Sequence, residues 1–122
     1  MSDFFLSCGH ALNESLVARE LRFTSYTEVQ SGACLGHTTW AISRVDDFSL
    51  WGPAWDERSR TRVLIGGRIA LEETDWAAAE RLPFEGGLAS RHILSQWLKS
   101  GANGVAAYNG AAVVIVAQAP WT

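Results

Sequence analysis

Four residues in the first third of the chain have side chains that hold metals: Cys8, His10, Cys34 and His37. Two thiolates and two imidazoles suit a tetrahedral zinc ion. Their spacing, one residue inside the first pair and two inside the second, is unusual for structural zinc. The plainer reading is two small buried thiols and two histidines on strands or turns. Asp46 and Asp47 are adjacent carboxylates of the kind that does acid–base work; beside Arg44 they also read as a polar turn. His92 falls on the polar side of an amphipathic stretch, which places it at the surface. Gly66-Gly67 could admit a phosphate, but no Lys and Ser/Thr follow as a phosphate-binding loop requires. Arg58, Arg60 and Arg62 alternate beside Asp56 and Glu57, the pattern of a solvated strand face.

These residues must be positioned by a chain of 122 residues, 48% hydrophobic and 19% charged. That is enough for one globular domain and too little for two. No apolar run approaches the roughly 20 residues that span a bilayer, and the start is not a convincing signal peptide. A cytoplasmic protein is the expectation. The net charge of −3 comes without a basic stripe, so a nucleic-acid partner is not expected. Two cysteines make no disulfide framework. Six tryptophans are many for this length. They cannot all be central, so some are expected at an interface with another domain or subunit.

Strands are expected at Asp3–Gly9, Arg22–Gln30, Ala33–Ser43, Phe48–Trp51 and Thr61–Ile65, from short apolar or alternating runs. Ser31-Gly32 reads as a turn between two of them, Asp56–Ser59 as another, and Gly66-Gly67 as the stop of Thr61–Ile65. Helices are expected at Asn13–Leu21, Glu72–Leu82 and Ala89–Ser100. Two acids open the second of these and Pro83 ends it. In the third, Ile93, Leu94, Trp97 and Leu98 make the apolar stripe, with Gly101 beyond its end. Ala111–Ala119 is an unbroken apolar run and reads as a strand covered on both faces. Asn109-Gly110 could be a hairpin turn pairing Val105–Tyr108 with Ala111–Val114. The sum is an α+β fold, mostly antiparallel strands with two helices on one face.

Three fragments carry a more specific signal. They are Val63-Leu64-Ile65-Gly66-Gly67-Arg68-Ile69, Arg91-His92-Ile93-Leu94-Ser95-Gln96-Trp97 and Tyr108-Asn109-Gly110-Ala111-Ala112-Val113-Val114-Ile115. Their order and spacing resemble the N-terminal glutaminase-type domain of the asparagine synthetase family, which includes β-lactam synthetases and lasso-peptide cyclases. In that family a strand ending in Asn-Gly-Glu precedes a helix, Ser-Asp-Thr-Glu opens a second helix, and Leu-Asn-Gly starts a long apolar strand. The resemblance runs from about Arg60 to Ala119. It implies an αββα sandwich of the N-terminal-nucleophile type, partial or complete, for residues 1–122.

The resemblance also implies what has been lost. The family's nucleophile is an N-terminal Cys followed by Gly; here Ser2 and Asp3 stand there. Its oxyanion-hole Asn lines up with Gly66, its Glu with Arg68, and its amine-gripping Asp with Ala89. Asn109 and Gly110 keep a structural motif. One oxyanion donor is worth about 10²–10³ in rate, so no glutaminase activity is expected. Cys8-Gly9 could act as nucleophile only after cleavage of Met1 to Ser7. The resemblance implies a non-hydrolysing scaffold or substrate-docking part of an ATP-dependent amide-forming ligase. ATP and magnesium would belong to a C-terminal domain outside these residues, and a synthetase domain, another subunit or a second copy would be the partner. The alternative is a stand-alone binding or interaction module.

Overall fold

The computed structural model describes residues 2–8, 29–34, 38–44 and 48–118, with side chains from Phe48 onward. The chain divides into two compact units, Met1–Asp46 and Asp47–Thr122. The architecture is α+β.

The first unit holds an antiparallel sheet in which β3 (Thr38–Arg44) lies between β1 (Ser2–Cys8) and β2 (Val29–Cys34). Ser31-Gly32 is not a turn: it lies inside β2, where Gly32 stands opposite Trp40. The expected strand Ala33–Ser43 is divided between β2 and β3. Thr38 is the partner of both Cys8 and Cys34. Their Cα atoms are therefore two strand spacings apart, roughly 9–10 Å, beyond the ~7 Å that a disulfide can bridge. The expected helix Asn13–Leu21, together with His10, His37, Asp46 and Asp47, lies outside the described residues.

The second unit opens with α1 (Phe48–Trp51), where a strand was expected. A four-residue apolar run does not distinguish the two. Here the Gly52 N–H donates to the Phe48 carbonyl at 2.8 Å, closing one helical turn before Pro53. A four-stranded sheet follows in the order β6-β4-β5-β7, built from β4 (Ala54–Asp56), β5 (Thr61–Ile69), β6 (Glu85–Gly86) and β7 (Gly110–Gln118). Asp56 makes the expected turn, its carboxylate accepting from the Ser59 N–H at 3.1 Å. Arg58 and Arg60 lie in that turn, Arg60 with φ 53°, so the three arginines do not form a strand face. Arg62 alone enters β5, its guanidinium 5.0 Å from the Trp55 ring.

Strand β5 does not stop at Gly66-Gly67. It runs to Ile69 and pairs residue for residue with β7. Gly67 has φ 91°, and a Cβ there would stand 2.1 Å from the Ala111 carbonyl oxygen. The glycine permits close strand approach rather than ending the strand.

Helix α2 (Glu73–Ala79) is shorter than expected. Its start is held by the Glu72 N–H donating to Asp75 Oδ2 at 3.0 Å, half of a capping box. Its end tightens into i→i+3 bonds at Arg81 and Leu82, so the helix stops before Pro83. Helix α3 (Leu88–Ser100) follows, then α4 (Ala102–Ala106) after Gly101 at φ 61°. The core is Trp51, Ala54, Val63, Ile65 and Ile69 packed with Ala89, Ile93 and Leu94. Each of the fully buried Val63, Ile65, Ile93 and Leu94 side chains contributes about 1.5–3 kcal/mol. The buried face of α3 differs from the expected stripe: Ser90, His92 and Ser95 are buried, whereas Leu98 is exposed.

Strand β7 is not covered on both faces. Residues 111–113 are exposed, Val114 to Val116 are half-buried, and only Ala117 is buried. The strand is the last of its sheet. Residues 102–106 are helical and β7 pairs with β5, which removes the hairpin reading of Asn109-Gly110. Of the four tryptophans with described side chains, Trp51 is buried and Trp55, Trp76 and Trp97 are half-buried. Trp51 meets Trp76 edge to face at 5.6 Å. Among the described residues no helix is long and apolar enough to cross a membrane.

Candidate functional site

Three segments converge on one polar cluster. Helix α2 supplies Asp75 from its first turn, α3 supplies His92, and the segment between α4 and β7 supplies Tyr108. His92 is buried, not at the surface. Its Nε2 hydrogen-bonds the Tyr108 hydroxyl, and the two rings meet edge to face at 5.3 Å and 83°. Asp75 Oδ1 stands 3.7 Å from the same nitrogen. That separation allows electrostatic attraction without a hydrogen bond.

Burial sets the protonation states. Desolvation lowers the His92 pKa below its ordinary 6.5; Asp75 opposes this and Lys99 adds to it. Desolvation, then the Asp75 charge, raises the Tyr108 pKa above 10.0. At neutral pH the pair is therefore a neutral imidazole and a protonated phenol. The phenol can donate to Nε2 or accept from it, according to the tautomer. The cluster ties together α2, α3 and the entry to β7.

A cleft of about 310 Å³ opens beside it, lined by Leu71, Glu72, Asp75, Tyr108 and Asn109 among others. This volume is at the small end for ligand sites. Tyr108 and Asp75 both line the cleft and both face His92. The arrangement can bind a small polar molecule and can pass a proton between cleft and imidazole. The described walls offer two carboxylates, Glu72 and Asp75, and the Tyr108 phenol as their reactive groups.

The positions identified from the sequence fall elsewhere. Gly66 and Arg68 are in β5 opposite Val113 and Ala111. Arg68 is exposed and its guanidinium lies 5.9 Å from the Trp51 ring. Ala89 is fully buried in the core with Val63 and Ile65. Neither Gly66, Arg68 nor Ala89 lines the cleft. Gly66-Gly67 lies within the β5–β7 ladder and forms no loop that could cradle phosphate. Asn109 does line the cleft, and its carbonyl accepts from the Ala70 N–H at 2.7 Å. Gly110 opens β7 at φ 145°, where a Cβ would stand 2.5 Å from the Arg68 carbonyl oxygen. Cys8 ends β1, so cleavage before it would remove every other residue of that strand.

The helical spacing contained a signal for His92. Ala89, His92 and Ile93 stand at i, i+3 and i+4, so a stripe begun at Ala89 turns His92 inward. Nothing local marks Tyr108 or Asp75 as its partners. Among the described residues no group of three or more His, Cys, Asp or Glu side chains could hold a metal; the side chains of Cys8, His10, Cys34 and His37 lie outside them. The chain matches no family model, no curated protein and no solved structure.

Proposed function

We propose that this chain is a non-hydrolysing domain of the glutaminase type, serving as scaffold or substrate-docking part for a cytoplasmic ATP-dependent amide-forming ligase. The observation that carries the reading is Ala89. The position that lines up with the family's amine-gripping Asp is fully buried among hydrocarbon side chains. A carboxylate there would be desolvated without a partner. The order β5, α2, β6, α3, β7 also agrees with the resemblance, with Asn109-Gly110 leading into the long strand. With Ala111 to Val113 exposed, β7 lends no support to a two-layer core. In this reading adenylation and amine attack, with ATP and magnesium, belong to a partner domain or subunit.

The test is glutamine hydrolysis by the purified chain, followed as ammonia release, beside a Cys8→Ala variant. No turnover is expected from either. Turnover by the wild type that Cys8→Ala abolishes would overturn the reading and establish Cys8 as a nucleophile.

The cleft beside Asp75 and Tyr108 favours a second reading, a stand-alone binding module. An NMR titration with free amino acids and small amines separates the two. Saturable shifts confined to Leu71–Asp75 and Ala107–Asn109 support the module.

A further inference from the structure

We infer that β7 is the seam of a symmetric dimer, in which its outer edge pairs antiparallel with β7 of a second copy and joins the two four-stranded sheets. The inference stands apart from the scaffold reading and rests on the backbone of this edge.

The two ends of the sheet are built differently. At one end β6 has two residues, Glu85 and Gly86, both exposed. A short, charged edge resists pairing with another chain. At the other end β7 has nine residues, Gly110–Gln118, with no charge and no proline. Its register against β5 runs one to one from Thr61↔Gln118 to Ile69↔Gly110, so no bulge twists it away. Within the strand the usual protections of an edge, a charge, a proline or a bulge, are missing, and among the described residues no strand pairs with its outer side.

The ladder defines which groups are available. The Ala70 N–H donates to the Asn109 carbonyl. Alternation from that bond turns the backbone groups of Ala111, Val113, Ile115 and Ala117 toward β5, and those of Ala112, Val114 and Val116 outward. The register that overlaps all of Gly110–Gln118 with itself centres on Val114. Val114 is one of the outward-pointing residues, so a two-fold axis there creates a hydrogen-bonded pair at the centre. The next pair sets Val113 opposite Ile115 of the second copy. Val113 is 48% exposed in the single chain, and this pairing covers it with an aliphatic neighbour. Self-overlap places apolar against apolar from Ala111 to Ala117, with Gly110 opposite Gln118 at the ends, and an uncharged strand meets no repulsion from its own copy. That favours a second copy as the occupant.

The test is the mass of the full chain by sedimentation equilibrium across the micromolar range, for the wild type, Ala112→Pro and Val113→Lys. The wild type is expected at twice 13.3 kDa. Ala112→Pro removes an outward N–H while keeping the bonds to β5, as proline does on edge strands. Val113→Lys places a charge on the seam. Each is expected to raise the dimer Kd about tenfold or more, with an unchanged far-ultraviolet circular dichroism spectrum. If Ala112→Pro fails to fold, Val113→Lys decides. A wild type that stays monomeric, that forms open-ended assemblies, or whose dimer is unaffected by Val113→Lys overturns the inference.

Discussion

Ala89 and His92 sit three residues apart on α3, both buried, in opposite surroundings. Ala89 packs among Trp51, Ala54, Val63 and Ile65. His92 meets a tyrosine hydroxyl and a carboxylate. Equal depth therefore demands opposite chemistry. At Ala89 any polar group would lose water and gain nothing. At His92 a polar group is kept because a partner is in place. In the proposed function the family's substrate contact falls at the first place, while the described polar cleft lies near the second.

The largest expected effect breaks the hydrocarbon end. Ala89→Asp buries a carboxylate without a partner and should cost about 3–5 kcal/mol, enough to unfold much of the chain; urea denaturation followed by circular dichroism measures it. A near-neutral result would mean that this position reaches water. Tyr108→Phe tests the polar end. It leaves His92 Nε2 without its hydrogen bond and should cost about 1–3 kcal/mol, read in the same titration.

The pH dependence sharpens the contrast. The folded pKa of His92 lies below its unfolded 6.5. Above 6.5 both states are neutral there and stability is unaffected. As pH falls below 6.5 the unfolded chain takes up the proton first, so stability falls toward the folded pKa. His92→Gln should flatten that slope between pH 7 and 5 in thermal melts; an unchanged slope would assign it to other groups. The smallest effect concerns Ser90, which lies between the two positions. Its buried Oγ has no hydrogen-bond partner, so Ser90→Ala should change stability by about 0–1 kcal/mol, in the favourable direction.

Much of the second unit was legible in the sequence. Helix α3 was readable from its apolar period and its terminal glycine, and the turn at Asp56 from side-chain chemistry that needs no distant partner. Strand β5 was readable only in its first half. The glycines that signal a stop in isolation admit β7 here, and that strand lies more than forty residues on in sequence. Phe48–Trp51 failed for the converse reason: four apolar residues carry no period.

The candidate site was legible only as separate letters. In the proposed alignment, Gly66, Arg68 and Ala89 are read by the chemistry they lack, and an absence needs no geometry. The cluster of Asp75, His92 and Tyr108 is a presence, made by three segments meeting.

The α+β composition and the strong helix were settled by the sequence alone. These follow from local period and residue type. Tertiary structure alone decided that Asp75 and Tyr108 are the partners of His92 and that β7 lies at the end of its sheet. Both depend on which distant segments come to lie side by side, and single-residue propensities do not encode that.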